Sequence, residues 1–142
     1  MKTKCFALVG MIAVLFAASV ASAQSTDPIN FRTPFAFAIG DNLVPAGEYT
    51  VRVVSPTGTL SFRSADGNVS VLISSVPLQG TRTEASYRFV FHRYGLHYYM
   101  SEIWTPGYKT GRTIRPQARE LELAKNEKPQ HVTLFATPEG GF

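Results

Sequence analysis

The stretch TLSFRSADGNVSVLI, residues 59–73, decides the fold class. Asp66-Gly67 lies between two alternating segments, and this dipeptide tolerates the positive φ that both central residues of a type I′ hairpin turn require. With those two residues as the loop, counting back pairs Phe62 with Val71 and Leu60 with Ile73 on one face. Arg63 with Ser70 and Ser61 with Leu72 fall on the other. A slip of one residue would set apolar against polar throughout, so pattern and turn agree on one register. An antiparallel hairpin with one buried face is expected.

On its N-terminal side, Glu48–Val54 also alternates, with Tyr49, Val51 and Val53 opposed to Glu48, Thr50 and Arg52. This is the period of a half-buried strand. Ser55-Pro56-Thr57-Gly58 turns the chain into Thr59–Ser64, because Pro presets φ at the second turn position and Gly suits the fourth. Further back, Phe31, Phe35, Phe37 and Ile39 alternate. Pro34 lacks an amide donor and marks that run as an edge strand or a bulge.

On the C-terminal side, Ser74–Glu84 holds Pro77 and Gly80 and reads as a long connection. A second hairpin follows, from Ala85–His92 through Tyr94-Gly95 into His97–Thr105. A two-residue loop opposes Phe91 to Tyr98, Phe89 to Met100, Tyr87 to Glu102 and His92 to His97. A three-residue loop with Gly95 in a bulge is the rival, setting His97 and Tyr99 beside Phe91 and Phe89. The first buries more. Thr105–Arg112 is a Gly- and Pro-bearing loop. Pro116–Glu127 is the expected helix, with Pro116 at its first position and Ala118, Leu121, Ala124 and Lys125 on one face, although Glu120–Ala124 also alternates as a short strand would. Gln130–Thr137 reads as a final strand and Pro138–Phe142 as a loose tail.

About seven short strands and one short C-terminal helix define a mostly all-β protein. Because strand follows strand directly, a small antiparallel up-and-down barrel is the first expectation, and a two-sheet sandwich the second. Interrupted apolar rows, with Pro138, Gly140 and Gly141 just before Phe142, argue against an outer-membrane barrel.

Residues 1–23 have the form of a secretory signal peptide: Lys2 and Lys4, an uncharged apolar run over Cys5–Ala18, then Ala21-Ser22-Ala23 before Gln24. The run is too short to span a bilayer comfortably, which takes about 20 residues. The sequence thus divides into a leader, 1–23, and one β-rich domain, 24–142, expected in the periplasm or the extracellular space and not membrane-spanning after cleavage. The lone cysteine, Cys5, leaves with the leader, so no disulfide is expected. Removing Lys2 and Lys4 from the 14 basic residues leaves 12 against 10 acidic ones, a net charge of +2. Such a small, spread excess is no footprint for nucleic acid.

The runs Phe31-Arg32-Thr33-Pro34-Phe35-Ala36-Phe37, Val44-Pro45-Ala46-Gly47-Glu48-Tyr49-Thr50-Val51 and Phe91-His92-Arg93-Tyr94-Gly95 resemble a family of small exported proteins of unassigned function from soil bacteria such as acidobacteria. That resemblance implies export and no particular activity.

Chemistry-bearing residues are few. No HExxH, paired CxxC, nucleophile elbow, phosphate cradle or dinucleotide fingerprint occurs. His92 and His97, opposed in the expected register, are weak metal candidates that would need a third ligand such as His131. With Glu102 they form the alternative reading, a metal-assisted hydrolase. The main reading is a binding or structural module that needs no cofactor and has a glycan or protein partner. Tyr94, at a hairpin tip, and Tyr108, in a loop, are the aromatic side chains packing explains least. Lys109, Arg112, Arg115 and Arg119 supply cations beside Tyr108. Tyr94, Tyr108, Lys109 and Arg112 are therefore the expected contact residues.

Overall fold

The computed structural model describes residues 27–136. The leader with its cleavage site and the tail Pro138–Phe142 lie outside them. In chain order the elements are β1 (Ile29–Thr33), β2 (Phe37–Ile39), β3 (Asn42–Val44), β4 (Gly47–Val53), β5 (Thr59–Ser64), β6 (Ser70–Ser74), β7 (Val76–Gln79), β8 (Tyr87–Tyr94), β9 (His97–Trp104), β10 (Thr110–Thr113), α1 (Ala118–Asn126) and β11 (Gln130–Ala136). Among the described residues, no helix is long and apolar enough to cross a membrane.

The strands form two sheets, not the closed barrel placed first above. One is four-stranded, β1-β4-β5-β6, and the other seven-stranded, with β11-β8-β9-β10-β7 as its path and β2 joining the β9 edge with β3 beside it. The chain changes sheet three times, between β1 and β2, between β3 and β4, and between β6 and β7. At the first, Pro34 ends β1 and splits the Phe31–Ile39 run, so Phe31 enters one sheet while Phe37 and Ile39 enter the other. Buried Thr33 steadies this corner, its hydroxyl donating to Phe35 O and accepting from Phe35 N. At the third, buried Ser75 separates β6 from β7. Its amide and hydroxyl both donate to Gly58 O, and its Oγ accepts Arg112 Nη1 at 3.2 Å. Each corner redirects the chain where a barrel would have continued the ladder. The result is a sandwich-like pair of sheets.

The inner faces share an aromatic core. Phe31 of the small sheet stacks on Phe89 of the large one with centroids 4.3 Å apart, and Phe37 meets Phe91 edge-on at 5.3 Å. Phe37, Phe62, Phe89 and Phe91 are fully buried. Each such ring contributes about 1.5–3 kcal/mol by leaving water. The Tyr49 ring joins this core, and its hydroxyl donates to Pro45 O.

The β5–β6 register is the one read above, Leu60↔Ile73 and Phe62↔Val71. Its turn differs. Asp66 has a negative φ and only Gly67 is left-handed, at +78°, so no type I′ turn forms. Instead Gly67 N donates to Ser64 O and Ser64 N donates to Val69 O, leaving a four-residue loop over 65–68. A four-residue loop keeps the same pairing sum as a two-residue one, which is why the register survives.

The β8–β9 register corrects both alternatives. Tyr94 pairs with His97 and Phe91 with Met100, so the loop is Gly95-Leu96 and Tyr94 belongs to the strand. Gly95 takes φ +60° while Leu96 stays negative, the φ signature of a II′ turn. Farther along, Val90 pairs with Glu102, leaving Ser101 as an extra residue in β9. This bulge inverts the alternation: Met100 and Ile103 face the core, and Glu102 goes to the outer face. The Ser101 carbonyl is held by Ile114 N at 2.8 Å and the Thr113 hydroxyl at 3.1 Å.

Two connections are shorter than expected. Val76–Gln79 is a strand, with Pro77 on the sheet's edge, and it pairs with Thr110–Thr113. The helix starts at Ala118 after the cap residue Gln117, so Pro116 lies before it. It turns Glu120 inward, while Leu121 is 52% exposed.

Candidate functional site

With the inner faces filled, chemistry is left to the outer face of the large sheet. Odd–even alternation along β8, corrected for the bulge, lines up Arg88, Val90, His92 and Tyr94 there. Glu102 and Trp104 come from β9, and His131 and Phe135 from β11. Two groupings form at opposite ends of the β8–β9 ladder.

The first lies under α1. The Glu120 carboxylate is 5% exposed, receives the Tyr94 hydroxyl at 3.4 Å and stands 3.0 Å from His92 Nδ1. The Tyr99 ring meets Tyr94 edge-on at 5.9 Å, and the His131 ring lies 4.9 Å from His92. Burial pushes the Tyr94 phenol pKa upward, and the negative charge of Glu120 adds to the shift. Tyr99 is also raised by burial, with Arg119 opposing. The grouping is closed, its polar atoms turned toward one another.

The second is open. A cleft of about 360 Å³ beside Trp104 is lined by Gly80, Thr81, Arg82, Glu84 and Arg88. Trp104 forms its base. Glycine at 80 and 111 lets the indole lie flat, since a Cβ at either would come within 2.7 Å of the ring. The Arg88 guanidinium covers the ring from 5.0 Å, and Nη2 pairs with Glu84 Oε1 at 2.8 Å. Arg88 Nε is buried with no hydrogen-bond partner among the described residues. The Trp104 indole N–H donates to Glu102 Oε2 at 2.8 Å.

Strand pairing disperses the expected site residues. His92 faces Tyr99 and Glu120, His97 is exposed opposite Tyr94, and Glu102 is bonded to Trp104, so the three do not converge. Among the described residues no group of three His, Cys, Asp or Glu side chains could hold a metal ion. The nearby arginines are engaged elsewhere: Arg88 pairs with Glu84 and Arg112 bonds Ser75 at the sheet corner.

Tyr94 is 4% exposed and serves the buried grouping, which removes it from the expected contact surface. Tyr108 is 64% exposed. Its loop is zipped to the cleft, because Gly107 N donates to Glu84 O at 3.0 Å and Gly80 N donates to Lys109 O at 2.7 Å. The backbones of Tyr108 and Lys109 thus adjoin the cleft-lining residues Glu84 and Gly80, whereas Arg112 is held at the sheet corner by Ser75.

Sequence reading missed Glu120, hidden in a run of acidic helix residues, and the whole cleft. The paired glycines 80 and 111 were its visible trace, but only the β7–β10 pairing shows that both lie against one indole. Neither protein-family models, nor curated proteins, nor solved structures match this chain.

Proposed function

We propose that this protein is an exported binding module that engages its ligand on the Tyr108 loop and the adjoining Trp104 cleft. Export rests on the form of residues 1–23. The binding reading rests on one convergence: a loop bearing an exposed aromatic side chain, tied by backbone hydrogen bonds to a cleft that Arg82, Glu84 and Arg88 line together with Leu78 and Trp104. Ligand sites of roughly 300–1,000 Å³ combine such concavity with a few oriented polar groups. An exposed tyrosine adds a rigid stacking face at small entropic cost.

A thermal-shift screen of the mature chain against soluble glycans, lipids and divalent metals tests this, with Tyr108→Ala as the discriminating variant. The expected result is a glycan that raises the melting temperature of the parent protein and leaves Tyr108→Ala unshifted. Stabilisation that survives Tyr108→Ala, or stoichiometric zinc retained through purification, would refute the reading.

A further inference from the structure

The cleft is electrostatically incomplete, and this narrows its ligand. Of the charged groups lining it, Arg82 and Arg88 are cations and Glu84 the one carboxylate. Glu84 is engaged by Arg88 Nη2. Arg82 makes no ion pair among the described residues, and Lys109 stands beside Gly80 through the Gly80 N to Lys109 O bond. The Arg88 guanidinium is held against Trp104 and keeps a buried Nε without an acceptor. With Nη2 of Arg88 bonded to Glu84 and its Nε buried, an oxyanion in the cleft meets the remaining Nη1 of Arg88 and the exposed guanidinium of Arg82, whose planar fork suits a carboxylate or sulfate. In the adjoining loop, whose backbone is bonded to Glu84, exposed Tyr108 offers a face to a sugar ring or another flat apolar surface.

We infer that the cleft binds an anionic saccharide, its carboxylate or sulfate directed to Arg82 and Arg88 and an adjoining ring laid on Tyr108. This rests on the proposed binding role of the Tyr108 loop. Glu84 positions Arg88 and screens the cleft against unselective anion binding. Lys109 adds attraction at longer range, which salt weakens.

The test is isothermal titration of the mature protein with a galacturonate trimer, a sulfated trisaccharide, neutral maltotriose and inorganic phosphate. At least one anionic trimer should bind, and maltotriose and phosphate at least tenfold more weakly. The tighter anionic trimer identifies carboxylate or sulfate as the preferred group. Arg82→Gln should weaken that trimer at least tenfold, with an unchanged melting temperature because Arg82 is exposed. Equal affinity for maltotriose, or an anionic trimer indifferent to Arg82→Gln, overturns the inference while the binding role stands if Tyr108→Ala still abolishes association. Phosphate binding as tightly as either trimer removes the saccharide from the assignment and overturns it. Binding that survives Tyr108→Ala overturns both.

Discussion

The Glu120 carboxylate on α1 stands 3.0 Å from Nδ1 of His92 on β8, and Glu120 is the helix's only buried residue. A nine-residue helix is too short to be stable alone, and its cap residue Gln117 makes no side-chain capping bond. Its place on the sheet therefore depends on a polar contact where an apolar stripe would be usual.

Replacing that carboxylate should release the helix. Glu120→Ala leaves His92 Nδ1 and the Tyr94 hydroxyl without their acceptor, a loss of about 2 kcal/mol. Leu121→Ala, on the exposed side, should stay within about 0.5 kcal/mol of the parent. Urea denaturation measures both, and hydrogen exchange over 118–126 should accelerate in the first variant alone. Equal effects of the two substitutions would show that the helix is held otherwise.

Alkaline pH should loosen the same region. Tyr94 and Tyr99 have folded-state pKa values above 10.0, so the folded state prefers their neutral phenols. Their contribution to stability is complete below the unfolded value and is lost as pH rises through the folded ones. Denaturation midpoints should hold steady to about pH 9 and fall beyond about pH 10. Tyr94→Phe should flatten part of that fall; an unaltered profile would remove Tyr94 as its source.

The hairpin loop rests on one left-handed residue. Gly67 has φ +78° and open space around its Cα, so Gly67→Ala adds conformational strain without a clash. It should cost roughly 1 kcal/mol. Gly67→Asn should cost less, since Asn tolerates this region. Thermal unfolding of the two variants ranks them, and the reverse order would contradict the loop geometry.

Gly111 makes the opposite kind of demand. Its conformation is open to any residue, but an added Cβ would lie 2.6 Å from two Trp104 ring atoms and 2.9 Å from Ile103 O. Gly111→Ala should therefore destabilise by about 1–3 kcal/mol through overpacking. It should also change Trp104 fluorescence, because the indole has to move. A stable variant with the parent's emission spectrum would mean that the ring is not pinned.

How far the chain could be read depended on the range of the forces at each point. For β5–β6, alternation and a turn signal lie within fifteen residues, and both enforce the same register. For β8–β9 the turn was misplaced by one residue, because Gly95 serves equally well as the second or the first loop position. The parity of Glu102 was lost at the Ser101 bulge, whose carbonyl is claimed by Thr113 and Ile114 from farther along the chain. Tyr108 was visible as an aromatic residue that packing explains least, and Lys109 as a cation beside it. Arg82, Glu84 and Trp104 were not, since each looks like ordinary loop or strand chemistry until β7 pairs with β10.

The amino-acid sequence alone determined that the chain is antiparallel β, which side chains of β4, β5 and β6 go inward, and the register of the β5–β6 hairpin. Those outcomes follow from steric limits on φ and ψ and from a two-residue period, which act between near neighbours. Tertiary structure decided that the sheets remain two, that a carboxylate is the buried face of α1, and that a cleft opens beside Trp104. Each needed partners from distant segments: Gly58 with Ser75, Glu120 with His92, Gly80 with Gly111 about one indole. No local rule brings such residues together, because their meeting is settled by the packing of the whole chain.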